Sequence, residues 1–120
     1  MQAKTNDTTV ARGREAEAQA ATYLERHGLR VVARNFRVRG GEIDLICRDS
    51  ATLVFVEVRQ RSRSDFGGAG ASITAAKRGR IVLAARHYLA GKAACDCRFD
   101  CVLIDGDKLE WLRDAFAADD

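Results

Sequence analysis

Apolar positions along the chain fall into seven stretches, and their spacing separates helices from strands. Between Gly13 and His27, Ala20, Ala21 and Leu24 form one stripe at helical spacing, and Gly28 stands where a helix cap belongs. Leu29–Phe36, centred on Val31 and Val32, predicts a first strand, and Arg37–Gly41 a turn. From Glu42 to Arg48 the pattern alternates: Glu42, Asp44 and Ile46 on one face, Ile43, Leu45 and Cys47 on the other. Asp49–Thr52 has turn composition, and Leu53–Arg59 is the β-branched and aromatic run of a buried strand. After it, residues 60–72 hold three Gly and no apolar period, which predicts a loop. Thr74 caps a second helix with the stripe Ile81, Ala84, Ala85, Tyr88, Leu89, and Gly91 lies just past its end. Arg98–Asp105 and Lys108–Leu112 read as two strands around Gly106, the last one short. The order α-β-β-β-α-β-β predicts a mixed sheet covered by helices, in the α/β (α+β) class.

Length and composition narrow the class. The 120 residues suit one domain, expected over 12–116, with a disordered tail at 1–11 and an acidic tail at 117–120. With 47% hydrophobic and 31% charged residues, the chain is globular rather than disordered. No apolar run approaches the roughly 18 residues of a membrane span, and the N-terminus lacks a signal-peptide core. The expectation is a cytoplasmic protein with no membrane partner. Cys47 and Cys101 sit in strand patterns as small hydrophobes, and Cys95-x-Cys97 lacks metal-ligand spacing, so neither zinc nor a disulfide is expected. No Ser-His-Asp set, phosphate loop or dinucleotide fingerprint is present.

Three carboxylates remain. Glu57 and Arg59 share the face of Leu53 and Phe55. A carboxylate inside such a strand is costly unless it meets a cation, a metal or good donors. A hairpin brings Asp44 to the same end of the sheet, and two hard oxygen ligands there suit Mg²⁺, which keeps several waters. Glu17 falls in the middle of the first helix's apolar stripe. Either the helix dipole favours an acid in the first turn, or Glu17 reaches Asp44 and Glu57 as a third carboxylate. Glu42, on Asp44's face, reads as a neighbour of that site or as a surface residue.

Residues 41–46, GEIDLI, followed by residues 53–59, LVFVEVR, resemble the paired strands of the PD-(D/E)xK, or restriction-endonuclease-like, nuclease superfamily. Within it the chain resembles the YraN-like family of small bacterial proteins. The matching segments are GREAEAQAATYL, NFRVRGGEIDLI, LVFVEVRQRS, the Thr74–Leu89 helix, RFD at Arg98–Asp100 and RDAF at Arg113–Phe116. The resemblance implies a restriction-endonuclease-like fold. It also implies Mg²⁺ or Mn²⁺ held by Asp44, Glu57 and the Val58 carbonyl, with Glu17 a direct or water-mediated ligand. Two positions depart from the family: Arg59 stands where Lys is usual, and Ala16 where Gly is usual. The family's Lys is credited with positioning the attacking water or stabilising the transition state. Arg supplies charge and a fork of donors but no general base.

Charge adds a partner class. The net charge of +3 is unevenly spread, with five Arg from Arg26 to Arg39 and six cations against Asp65 from Arg59 to Arg80. Basic segments beside a metal site suit nucleic acid, with Arg37, Arg39, Arg61, Arg63, Lys77 and Arg78 as phosphate contacts. Lys77, Arg78 and Arg80 also crowd the start of the second helix, against its dipole. The functional expectation is a divalent-metal-dependent nuclease, structure-specific and endonuclease-like, hydrolysing phosphodiester bonds of DNA or RNA. The alternative, to which Arg59 points, is a nucleic-acid-binding protein on a nuclease fold with weak or lost catalysis. A homodimer is expected only in that small nucleases of this fold often work as dimers.

Overall fold

The computed structural model describes residues 3–60 and 73–118, and of residues 3–10 and 12 the backbone alone. The elements are α1 (Ala3–Arg26), β1 (Arg30–Val38), β2 (Gly41–Asp49), β3 (Thr52–Gln60), α2 (Ala75–Leu89), β4 (Cys97–Asp105) and β5 (Lys108–Phe116). This is the order the sequence predicts. The strands form one mixed sheet, β1-β2-β3-β4-β5, antiparallel except for the β3–β4 pair. A parallel pair cannot close through a tight turn, and here the crossover contains α2. No described helix is long and apolar enough to cross a membrane.

The two helices serve different apolar clusters. α1 contributes Ala16, Ala20, Ala21 and Leu24 to a cluster with Leu45, Cys47, Val54, Val56, Val102 and Ile104. α2 contributes Ile81, Ala84 and Ala85 to a cluster with Ile43, Ile46, Leu53, Phe55, Phe99 and Leu103. Consecutive residues of β3 alternate between the clusters, so the strand is covered on both sides. That explains why Leu53–Val56 shows no polar alternation in sequence. α1 ends as its composition dictates. Gly28 takes φ 96°, and the Leu29 N–H donates to the Leu24 carbonyl at 3.1 Å. α2 begins at Thr74, whose hydroxyl accepts the Lys77 N–H at 3.1 Å.

Several boundaries differ from expectation. α1 starts at Ala3, inside the segment read as a tail. No Pro interrupts that segment, and extending an existing helix costs far less than nucleating one. Arg37 lies on β1 rather than in the following turn. β5 runs to Phe116, not Leu112, because Phe116 pairs with Phe99 and stacks on it at 4.9 Å. A register shift between Phe99 and Cys101 and a φ of 53° at Asp114 break the period that would have revealed this. On β2, Ile43 packs with Ile46 rather than with Leu45 and Cys47, so simple alternation fails at Asp44. Of the loop expected at 60–72, Gln60 is the last residue of β3, and residues 61–72, with Arg61 and Arg63, lie outside the described residues.

Gly41 lets α2 sit directly on β2. A Cβ there would stand 2.5 Å from the Arg80 carbonyl oxygen and 3.1 Å from the Ala84 nitrogen. Gly41→Ala should therefore cost about 1–3 kcal/mol in urea denaturation, as overpacking does. Unchanged stability would show that α2 is not seated this way.

Candidate functional site

The β2–β3 ladder ends at the Leu45–Val56 pair. Just beyond it the Asp44 side chain takes over the role of a backbone acceptor: Oδ2 accepts the Val58 N–H at 2.9 Å. Glu57 follows Leu53 and Phe55 on the α2 side and is 4% exposed. Its Oε2 meets Lys77 Nζ at 3.1 Å and Arg59 Nη1 at 3.9 Å. Glu17, next to buried Ala16 on α1, lies near enough to Asp44 and Asn35 for both to shift its ionisation. Asn35 adopts φ 51°, a conformation Asn tolerates better than most residues. Glu17 from the α1 side and Glu57 from the α2 side thus converge on Asp44, where the strands part.

Burial dominates the electrostatics. It pushes Glu57 up to about 7; the Asp44 charge adds to the rise, and Lys77 opposes it. Glu17 is also raised, first by burial and then by Asp44, while Asn35 and Arg37 pull it down. Like charges gathered in a partly dry site make both carboxylates reluctant to ionise, and a cation would relieve them.

The donor chemistry fits a hard divalent ion. Carboxylate oxygens and a backbone carbonyl are the ligands Mg²⁺ and Mn²⁺ take. Among the described residues no group of three His, Cys, Asp or Glu side chains is gathered closely enough to hold a metal ion by itself. An ion here would complete its shell from water and backbone, as Mg²⁺ does. Val58, whose carbonyl is the expected further ligand, meets Asp44 through its N–H. Cys47 and Cys101 are buried free thiols pushed up to about 12 by burial, which keeps them neutral.

The basic residues divide. Arg37 is exposed and lines a cleft of about 430 Å³ with Gly13, Arg14, Asn35 and, of the three carboxylates, Glu17 alone. Arg39 is exposed in the β1–β2 turn. Arg78 is turned inward, its Nη1 donating to the Ile73 carbonyl at 2.7 Å, which commits it to holding the chain ahead of α2. Lys77 is not on an open surface but on Glu57. Arg61 and Arg63 are outside the described residues. Glu42 is exposed and pairs in register with Arg37, the surface reading of that residue. A larger cleft of about 660 Å³, lined by Glu15, Gln19, Tyr23, Arg26, Asp107 and Leu109, takes in none of the three carboxylates.

Two features escape sequence reasoning. One is the Lys77–Glu57 contact. The other is a buried polar knot around Asp100, which is fully inaccessible. Its Oδ1 accepts from Arg98 Nε at 3.0 Å and the Asp114 N–H at 2.9 Å, and its Oδ2 from Trp111 Nε1 at 2.9 Å. Arg98 Nη1 also reaches Asp49 at 3.1 Å. The RFD segment and Trp111 were visible in the sequence. Nothing in their spacing says that they meet.

The model of the uncharacterised protein family UPF0102 matches residues 16–104, which include α1's buried face, the three carboxylates and the first eight residues of β4. A UPF0102 protein of Dechloromonas aromatica is 79% identical over all 120 residues, covering both chains completely. One of Cupriavidus taiwanensis is 60% identical over 111 residues, 91% of this chain and 85% of its own. One of Methylobacillus flagellatus is 53% identical over 109 residues, 88% of this chain and 96% of its own. With the family model spanning most of the fold and relatives this similar along nearly their full length, the chain belongs to the UPF0102 family.

Proposed function

We propose that this protein is a divalent-metal-dependent nuclease acting on phosphodiester bonds of DNA or RNA. The observation that carries the reading is that Glu17 and Glu57, from opposite sides of the sheet, each lie close enough to Asp44 to feel its charge, with Glu57 nearly inaccessible. Asp44, Glu57 and the Val58 carbonyl, with Glu17 directly or through water, would hold Mg²⁺ or Mn²⁺. Bound there, the ion would activate a water and stabilise charge developing on the phosphate. Asp44 also fixes the end of β3 through the Val58 N–H, so the residues are preorganised rather than gathered on demand. Arg14 and Arg37 line the adjacent cleft and would hold flanking phosphates of the strand. The test is incubation with branched, flapped and single-stranded DNA and RNA, with Mg²⁺ or Mn²⁺ or with chelator. Cleavage that disappears with chelator and in Asp44→Asn supports the reading; no cleavage of any substrate with either ion rejects it.

A second reading keeps nucleic-acid binding and drops catalysis. It is favoured by Arg59, which stands 3.9 Å from Glu57 where a compact cation would be needed. Both readings require phosphate contacts. On duplex DNA, log affinity should fall by about 0.9 per log unit of salt for each phosphate contacted, and Arg37→Ala should lower that slope by about one contact. A salt-independent affinity would remove nucleic acid from both.

A further inference from the structure

We propose that Lys77, not Arg59, is the working cation of this site: it holds Glu57 until a divalent ion binds there, and its ammonium then contacts the scissile phosphate. The proposal rests on the nuclease reading above and deepens it.

The geometry favours Lys77 on three counts. Its Nζ is 3.1 Å from Glu57 Oε2, a charge-assisted hydrogen bond, whereas Arg59 reaches only 3.9 Å. Its base is rigid: the Lys77 N–H is pinned by Thr74, and α2 is pressed against β2 at Gly41. Its side chain is 28% exposed while its partner is 4% exposed, so the ammonium stands at the mouth of the site with Glu57 behind it. A cation in the first turn of a helix works against the helix dipole, and the buried carboxylate explains its presence there.

The chemistry favours Lys as well. An ammonium is a compact point charge on a flexible stem, whereas a guanidinium is broad and planar. A divalent ion held by Glu57 would repel the ammonium that rests on its Oε2. The backbone of Lys77 stays capped, so only the side chain needs to swing. In the hydrolysis, water oxygen bonds to phosphorus and the P–O bond to the leaving alkoxide breaks. The water gives a proton to solvent, and the alkoxide takes one from solvent. Lys77 keeps its proton throughout and offers an N–H to a phosphoryl oxygen as negative charge builds on it.

The test compares Lys77→Met, Lys77→Arg and Arg59→Met in two assays: titration of Mn²⁺ alone into the protein, and single-turnover cleavage of a substrate the wild type cuts. Lys77→Met removes the competitor for Glu57 and should bind Mn²⁺ roughly fivefold tighter. It should also cleave about 10²–10³-fold more slowly. Arg59→Met removes a guanidinium that stands farther from Glu57, so it should move both by less than Lys77→Met does. Lys77→Arg should cleave faster than Lys77→Met, and it carries the comparison if the Met variant melts below assay temperature. Lys77→Met with wild-type affinity and rate, or a loss that falls on Arg59→Met instead, overturns the proposal while leaving the nuclease intact. A wild type that neither binds Mn²⁺ nor cleaves overturns both.

Discussion

Replacing Asp100 by Asn should lower the folding stability by about 3–5 kcal/mol, although the two side chains have the same shape. Asp100 is only an acceptor, and Arg98, Trp111 and the Asp114 N–H all donate to it. The Asn amide would set a donor against one of these donors and leave the Arg98 charge without its buried partner. Burial works against that charge, but the hydrogen bond and charge of Asp100, with Asp49, outweigh it and raise the Arg98 pKa. Small domains have about 5–15 kcal/mol in all, so the variant would be close to unfolding at 37 °C. Urea denaturation at pH 7 measures the loss. Trp111→Phe removes a single hydrogen bond and should cost nearer 1–2 kcal/mol. An Asp100→Asn protein within about 1 kcal/mol of wild type would mean that the knot is not a keystone.

The second large effect is a pH dependence centred on Glu57. Burial, with the Asp44 charge, pushes its pKa in the folded protein up to about 7 from an ordinary 4.5. Between those values the folded chain holds a proton that the unfolded chain has released, so stability falls as pH rises through this window. The loss is complete above pH 7 and amounts to roughly 3 kcal/mol. Glu17, also raised, acts in the same direction. Comparing wild type with Glu57→Gln isolates the Glu57 share: the Gln variant should gain on wild type by that amount from pH 4 to pH 8. Saturating Mg²⁺ at pH 8 should restore stability to the wild type and not to the variant, since ligand binding to the folded state alone stabilises it. Parallel pH profiles for the two proteins would mean that Glu57 ionises without strain.

Much of this was legible in the sequence because it depends on short-range rules. Gly28 and Thr74 mark helix ends through local backbone chemistry, and the Leu53–Val58 run can only be a doubly covered strand. Asp44 and Glu57 could be paired because a hairpin joins them, and Glu17 stood out as an acid on an apolar stripe. What stayed hidden depends on tertiary contact. A cation in the first turn of α2 looks like any solvated residue until the crossover sets it against Glu57. Arg98, Asp100, Trp111 and Asp114 meet only because β4 and β5 pair with a shifted register. The facing of Ile43 was misread because the alternation fails at Asp44, the residue that gives up regular pairing to reach Val58.

The strand order has a practical consequence for solubility. β1 and β5 are the outer strands, each with one neighbour among the described strands. Such rims invite another chain to add its own strand unless charge obstructs it. β1 carries Arg30, Arg34 and Arg37, all exposed, beside Val32, which is 38% exposed. β5 carries exposed Lys108, Glu110 and Arg113. Arg37, which would meet phosphate, is thus one of three arginines whose charge obstructs strand addition at the open rim of β1. Neutralising them removes both roles at once, and a drop in nucleic-acid binding would then be mixed with clumping. Charge reversal to Glu separates the two, because it repels phosphate while leaving the rim charged.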